Sequence, residues 1–250
     1  MERIYTGFES LDKYLKINKG ELVVIGGRPA IGKTAFLISI LVNLAKNNFK
    51  CKFFSLELYE KDLKEKISKS VGYDIEREKK IFSYTSIDDE MILTKEILDS
   101  KINNNTQIVL IDYLQLLDVD GNTTKEKIRA LRNIAKQKNI VIFVASQISK
   151  VFECYNIPPK ISAEWLLDKK RIWENFDMAD IDKFIFIDRP DRRLSFEEMF
   201  ANEINIDSAD FIIVKNNNGN TANVECVWDR STYTFNEITK TPWFIATILV

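Results

Sequence analysis

Eight consecutive residues, Gly27-Arg28-Pro29-Ala30-Ile31-Gly32-Lys33-Thr34, follow the pattern G-x-x-x-x-G-K-[ST] in full. Each defined position suits a polyphosphate. Glycines let successive main-chain amides turn inward around phosphate oxygens, and the start of a helix adds its positive end. The Lys33 ammonium balances charge on the β and γ groups, and the Thr34 hydroxyl is a ligand for Mg²⁺. Together with Ala35, which leads into the following helix, these residues form the candidate site for ATP or a related triphosphate. A plain glycine turn is the competing interpretation. It is disfavoured because a strand-like run, Leu22 to Ile25, precedes the motif and a helical stretch follows it.

Three more positions belong to the same chemistry by their place at strand ends. Gln107 to Asp112, QIVLID, is a buried-looking strand that ends in a carboxylate, so Asp112 is the candidate partner of Thr34 in holding Mg²⁺, partly through water. Alone, such an Asp is more often a turn or helix cap; beside a phosphate loop the metal reading gains. Cys51 to Ser55 runs into Leu56-Glu57, which places Glu57 at the carboxyl edge of a sheet. Either it orients and deprotonates an attacking water, or it is a first-turn acid favoured by the helix dipole; spacing alone does not choose. Gln147, after Ile140 to Ala145, either senses the γ-phosphate or caps a loop. Histidine is absent, so a general base must be a carboxylate or a lysine of lowered pKa.

The elements that must position these residues are visible as apolar runs. Glu21–Ile25, Cys51–Phe54, Ile108–Asp112 and Ile140–Ala145 alternate with the helical stretches Ala35–Asn47, Glu60–Ser70 and Lys125–Lys138. That alternation predicts βαβ units and a mostly parallel sheet flanked by helices. Lys125–Lys138 sets Ile128, Leu131, Ile134 and Ala135 on one face, which should cover the sheet. After Lys183–Ile187, the runs Phe211–Val214 and Val224–Trp228 are separated by turn signals, and an antiparallel hairpin is expected. Phe152 to Asp182 lacks clear periodicity and is expected to be an insertion or long loop with one helical turn or more. The apolar run Trp243–Val250 is expected to be a terminal strand or a docking tail.

Bulk properties exclude little and add no partner. With 36 basic and 37 acidic residues the formal net charge is -1, so any polyanion site is local. The amino terminus lacks a secretory core and no run reaches the roughly 20 apolar residues of a membrane span, which implies a cytoplasmic protein with no membrane association. Cys51, Cys154 and Cys226 fit neither a disulfide framework nor a zinc site. One domain over 1–250 is the natural reading of the length, with 238–250 as a tail.

Taken together, TGFESLD at Thr6, GELVVIGGRPAIGKTAF at Gly20, FFSLEL at Phe53, IDYLQLL at Ile111, LRNIAKQKNIVIFVASQISK at Leu131 and IIVKNNNGN at Ile212 resemble the C-terminal ATPase domain of DnaB-type replicative helicases. The pieces occur in the family's order and cover most of residues 5 to 237. The resemblance implies a RecA-like P-loop NTPase fold, with Lys33 and Thr34 on phosphate and Mg²⁺, Glu57 as catalytic carboxylate, Asp112 as the Walker B acid and Gln147 as a sensor. It also implies a homo-oligomeric ring, a hexamer in the family, around single-stranded DNA, in contact with other replication proteins.

In the family a neighbouring subunit contributes cations from a KQRNG segment. Here that segment reads Lys215-Asn216-Asn217-Asn218-Gly219, so Lys215 remains a nucleotide-contacting candidate while the arginine finger becomes Asn217. Arg189, Arg192 and Arg193 are nearby substitutes, or else a solvated charge run. The family's N-terminal helical domain is expected to be missing. The loop Asp118 to Asn122 is short and acidic, which leaves Lys125, Lys127 and Lys150 as the cations nearest the expected DNA loops. These departures motivate a second reading, a catalytically weakened paralogue that binds nucleotide to regulate or scaffold a replication complex. A recombination- or clock-type ATPase is a third.

Overall fold

The computed structural model describes residues 3–90, 93–118, 123–148 and 150–238. In chain order the strands are β1 (Leu22–Gly27), β2 (Cys51–Ser55), β3 (Thr85–Asp88), β4 (Leu93–Thr94), β5 (Ile108–Asp112), β6 (Leu117–Asp118), β7 (Val141–Gln147), β8 (Lys183–Asp188), β9 (Ser208–Asn216), β10 (Ala222–Asp229) and β11 (Thr234–Glu237). The helices are α1 (Glu9–Asp12), α2 (Lys33–Lys46), α3 (Glu60–Ser70), α4 (Ile75–Tyr84), α5 (Lys95–Lys101), α6 (Thr124–Lys138), α7 (Ala163–Asp168) and α8 (Phe196–Ala201). Nine strands form one sheet in the order β11-β10-β9-β8-β1-β7-β5-β2-β3, and β4 pairs with β6 beside it. Every pairing from β3 through β8 is parallel, while β8 to β11 are joined antiparallel.

Continuous burial of β1, β5 and β8 explains why these runs carry no polar alternation: helices cover both faces of a parallel sheet. One layer of core packs α2, α3 and α4 against Val23, Ile25, Phe53, Leu110 and Phe143. The other packs α5, α6 and α7 against Leu22, Val24, Ile111 and Val144. On α6 the buried side chains include Ile128, Leu131, Ile134 and Ala135, the apolar face read from the sequence, and Thr123 with Glu126 closes its first turn as a capping box.

The expected antiparallel hairpin is present as β9 and β10, extended by β11 into a meander. Residues 152–182 pack against the sheet: α7 and 3₁₀ turns at 170–173 and 178–180 lie among Phe152, Leu166, Ile172 and Trp173, which are buried over Phe184 and Phe186. Sequence periodicity missed α4 and β3, which add an edge to the sheet beyond β2. Cys51 and Cys226 are buried, Cys154 is exposed, and none is in a disulfide. No helix among the described residues is long and apolar enough to cross a membrane. The expectations for Trp243–Val250 and for the loop residues 119–122 fall outside the described residues.

Helix α2 starts at the end of the phosphate motif and is held by an aromatic cluster. The Phe36 ring lies 5.3 Å from Phe8 and 4.4 Å from Phe211, and Phe36 is fully buried. Truncation to Phe36→Ala leaves a cavity beneath the loop and is expected to lower stability by about 3–5 kcal/mol in urea denaturation.

Candidate functional site

Register decides which residues meet. β1 lies between β7 and β8, with Gly27 beside Gln147 on one side and Ile187 on the other. Asp112 lies beside Ser55, and the Leu56 amide donates to the Asp112 carbonyl at 2.8 Å, so the β2–β5 pairing continues to the residue before Glu57. The carboxyl ends of four parallel strands therefore open on one rim, where open α/β sheets bind ligands.

A cleft of about 410 Å³ occupies that rim, lined by Pro29, Ala30, Gly32, Lys33 and Thr34 from the loop and by Glu57, Asp112 and Gln147 from the neighbouring strands. Gly32 has φ +109, and a Cβ there would come within 2.7 Å of the Phe235 ring; only glycine allows both the turn and the close approach. The other loop residues serve the backbone path. Ile31 and Ala35 are buried in the core, a Cβ on Gly27 would strike Ile31, and the Arg28 guanidinium turns away to Glu153 and to the Arg192 carbonyl, each at 3.1 Å.

The cleft holds strong, opposed charges at short range. Thr34 Oγ1 donates to Asp112 Oδ2 at 2.7 Å, and the Lys33 ammonium donates to the carbonyls of Arg28 at 2.8 Å and Gly27 at 3.3 Å. Burial pulls Lys33 down to about 8 against the attraction of Asp112 and Glu57. Burial likewise pushes the Asp112 carboxyl up to about 6; the Glu57 charge raises it further, and the Thr34 hydroxyl and Lys33 oppose. A hydroxyl and a carboxylate oxygen in contact are hard oxygen donors of the kind Mg²⁺ takes alongside substrate phosphates. Gln147 is clasped by Gln115, whose side-chain oxygen accepts from the Gln147 amide at 3.1 Å and whose nitrogen donates to the Gln147 carbonyl at 2.9 Å.

The opposite wall holds two arginines that the sequence offered as substitute cations, Arg189 and Arg192, and three residues that it missed. Lys66, Arg189, Arg192, Trp228 and Tyr233 also line the cleft. The Lys66 ammonium sits 4.2 Å from the centre of the Tyr233 ring, and the Arg189 guanidinium 4.8 Å from that of Trp228. Arg189 follows β8, so the strand-end rule that found Asp112 and Gln147 applies to it as well; Lys66, Trp228 and Tyr233 carry no such signal.

The family model of the DnaB-like helicase C-terminal domain matches residues 3–237. The chain belongs to that family. Among curated relatives, a probable replicative DNA helicase of Guillardia theta is 33% identical over 60% of this chain and 31% of its own length. The replicative DNA helicase DnaB of Mycoplasma pneumoniae (strain ATCC 29342 / M129 / Subtype 1) is 26% identical over 92% of this chain and 56% of its own. This chain thus spans about half the length, or less, of such relatives. Among solved structures, a DnaB-like replicative helicase superposes with a TM-score of 0.78 at 21% identity, covering 96% of this chain and 64% of the other. The RadB recombinase superposes with a TM-score of 0.61 at 14% identity, covering 94% of this chain and 100% of that chain. The fold is RecA-like.

This DnaB-family domain departs from a simple reading of its cations. Lys215 does not reach its own cleft: β9 pairs it with Phe184 at the amino end of β8, and its ammonium donates to the Met178 carbonyl. Asn217 is bound to Asp182 through its side chain at 3.0 Å and its amide at 3.1 Å, also on that opposite edge. The arginines after β8 are not a solvated run. Arg189 is buried with Asp191 at 2.8 Å, Arg193 is buried with Asp188 at 2.9 Å, and Arg192 alone keeps about half its side chain in solvent. Of the surface lysines, Lys127 donates to the Gln115 carbonyl at 3.1 Å, while Lys125 is exposed; the Lys150 side chain falls outside the described residues.

The raised Asp112 pKa has a measurable consequence. The folded protein retains this proton where the unfolded chain, titrating near 3.8, has lost it, so stability falls as pH rises from about 4 to about 6. Asp112→Asn keeps an acceptor for Thr34 and removes the charge. It is expected to raise nucleotide-free stability at pH 7.5 by up to about 3 kcal/mol in urea titrations, with the gain gone near pH 4.

Proposed function

We propose that this domain binds and hydrolyses ATP with Mg²⁺ and uses the cycle to move along single-stranded DNA as part of a homo-oligomeric ring in the cytoplasm. One observation carries the catalytic half: Lys33, Thr34, Asp112, Glu57 and Gln147 converge on a single cleft of about 410 Å³ although four separate strand ends supply them. The main-chain amides of Gly27 to Lys33 and the Lys33 ammonium hold the triphosphate. Thr34 and Asp112 would hold the Mg²⁺, which would supply neutralisation of phosphate charge when bound.

Glu57 is exposed at the mouth of the cleft and serves as the base that aligns and deprotonates water. The Tyr233 ring provides a stacking surface for the base of the nucleotide. Through Gln115, a change at Gln147 is passed to the root of the loop that follows β5, which carries the proposed DNA contact. The similar DnaB-like replicative helicase was solved with its interactions with primase. A primase or another replication protein is the corresponding partner class here.

The cation that compensates for Asn217 is Arg192, the cleft-lining guanidinium least engaged by neighbours. Lys215 serves a neighbouring subunit's nucleotide rather than its own, a reading supported by its distance from its own cleft. Steady-state hydrolysis with and without oligo-dT, together with mass by light scattering, tests this set. Glu57→Gln and Lys33→Ala are expected to lower kcat by about 10²–10⁴, and Glu57→Gln retains nucleotide binding. Arg192→Ala is expected to lower kcat by about tenfold or more, a loss of about 1.4 kcal/mol in transition-state stabilisation. Wild-type turnover in Glu57→Gln would move the base elsewhere. A mass that stays monomeric with ATP, Mg²⁺ and DNA would remove the ring.

A further inference from the structure

The cations around the cleft are not engaged alike. The Lys33 ammonium is held by the carbonyls of Arg28 and Gly27, Arg28 by Glu153, and Arg189 by Asp191. Lys66 differs from all of these. It stands half-buried on α3 beside Leu63 and Ile67, which are fully buried, and it lines the cleft with its ammonium 4.2 Å from the centre of the Tyr233 ring. Lys64 on the same helix pairs with Glu60 at 2.6 Å. Lys66 has no carboxylate partner among the described residues, and the Tyr233 ring is what holds it.

That ring is itself fixed. Tyr233 has φ +59 in the connection from β10 to β11, where the Asp229 carboxylate accepts from the Ser231 amide at 2.8 Å and from the Thr232 amide at 3.3 Å. The Trp228 ring packs against Tyr233 with centroids 5.3 Å apart and planes at 75°. Burial pushes the Tyr233 phenol above its ordinary range, the charges of Asp112 and Glu57 push it further, and Arg189 opposes. Tyr233 thus lies within the field of both acids of the cleft. Of the two partners in the cation–ring contact, the lysine is the one free to move.

A ring quadrupole attracts an ammonium weakly compared with a full anionic charge. A triphosphate brings several such charges into a cleft of about 410 Å³ in which Lys66 has no carboxylate of its own. The four-carbon stem is flexible while its backbone is anchored on a packed helix, so the ammonium can swing without moving α3. We infer that Lys66 is a further phosphate-binding residue, whose ammonium leaves the Tyr233 ring for a phosphate oxygen of the bound nucleotide. The inference rests on the proposed binding of a triphosphate in this cleft. A clip that only ties α3 to the connection before β11 would make a different prediction, because its charge would serve the ring alone.

Calorimetric titration of the whole chain with ATP and with inorganic tripolyphosphate, each with Mg²⁺, tests the assignment. Lys66→Met keeps an unbranched stem and a sulfur contact to the ring while removing the charge. Its affinity is expected to fall about tenfold for both ligands, which is about 1.4 kcal/mol. Lys66→Gln, a second uncharged variant, is expected to show the same loss, and Lys66→Arg to bind both ligands as the wild type does. The loss is expected to shrink as salt is raised, because screening weakens a partly exposed ion pair. An uncharged variant with wild-type affinity for ATP would overturn the inference. So would a loss for ATP with tripolyphosphate binding intact, which would put the ammonium on the base, or a loss in Lys66→Arg equal to that in Lys66→Met, which would make the contact one of packing. A wild-type chain that binds neither ligand would fail at the triphosphate reading itself, and the inference would fall with it.

Discussion

The contact between the Thr34 hydroxyl and the buried Asp112 carboxylate, 2.7 Å across the end of β1 and β5, is the constraint on which the site depends. It joins the first turn of α2 to a strand two positions away in the sheet, since β7 lies between β1 and β5. Burial leaves both Asp112 and Lys33 away from their ordinary pKa values. A pair of displaced, opposed charges is unfavourable in an empty fold and favourable once phosphate and a divalent cation complete it. The proposed chemistry thus draws on free energy that folding has already spent on burying Asp112 beside Lys33.

Everything around that contact serves to keep it in place. The glycine at 32 allows the loop to close under Phe235, and Phe36 locks the following helix to Phe8 and Phe211. Gln115 fixes the end of β7 to the segment after β5 by bonds at both ends of one amide. The floor of the cleft is parallel strand ends in strict register, and its rim is loop.

The cations show an asymmetry between the two ends of the parallel strands. At the carboxyl ends, Arg189 and Arg192 join Lys33 and Lys66 around the cleft. At the amino ends, Lys215 and Asn217 are bound to Met178 and Asp182. The proposed ring, built head to tail, would bring unlike ends of neighbouring domains together, which is what the role proposed for Lys215 requires. Where the resemblance implies an arginine the chain has Asn217, and the cleft has arginines of its own.

Local chemistry was legible in the sequence wherever one segment carries the whole signal. The phosphate loop needs eight consecutive residues, the parallel strands announce themselves by unbroken apolar runs, and α6 by its periodic face. Strand ends pointed to Asp112, Glu57 and Gln147 because parallel strands share a rim. The sequence could not show α4 and β3, whose patterns are short and half exposed, nor that 152–182 would fold down on Phe184 and Phe186. It could not choose between a solvated and a buried Arg189, because Asp191 is a local partner in either case and the choice rests on Trp228 arriving from β10. The identity of the ligand-binding groups is set by covalent neighbours and so belongs to the sequence. The distances, displaced pKa values and second wall come from strand order and register, which bring residues more than a hundred positions apart into contact and are decided only when the sheet closes around its core.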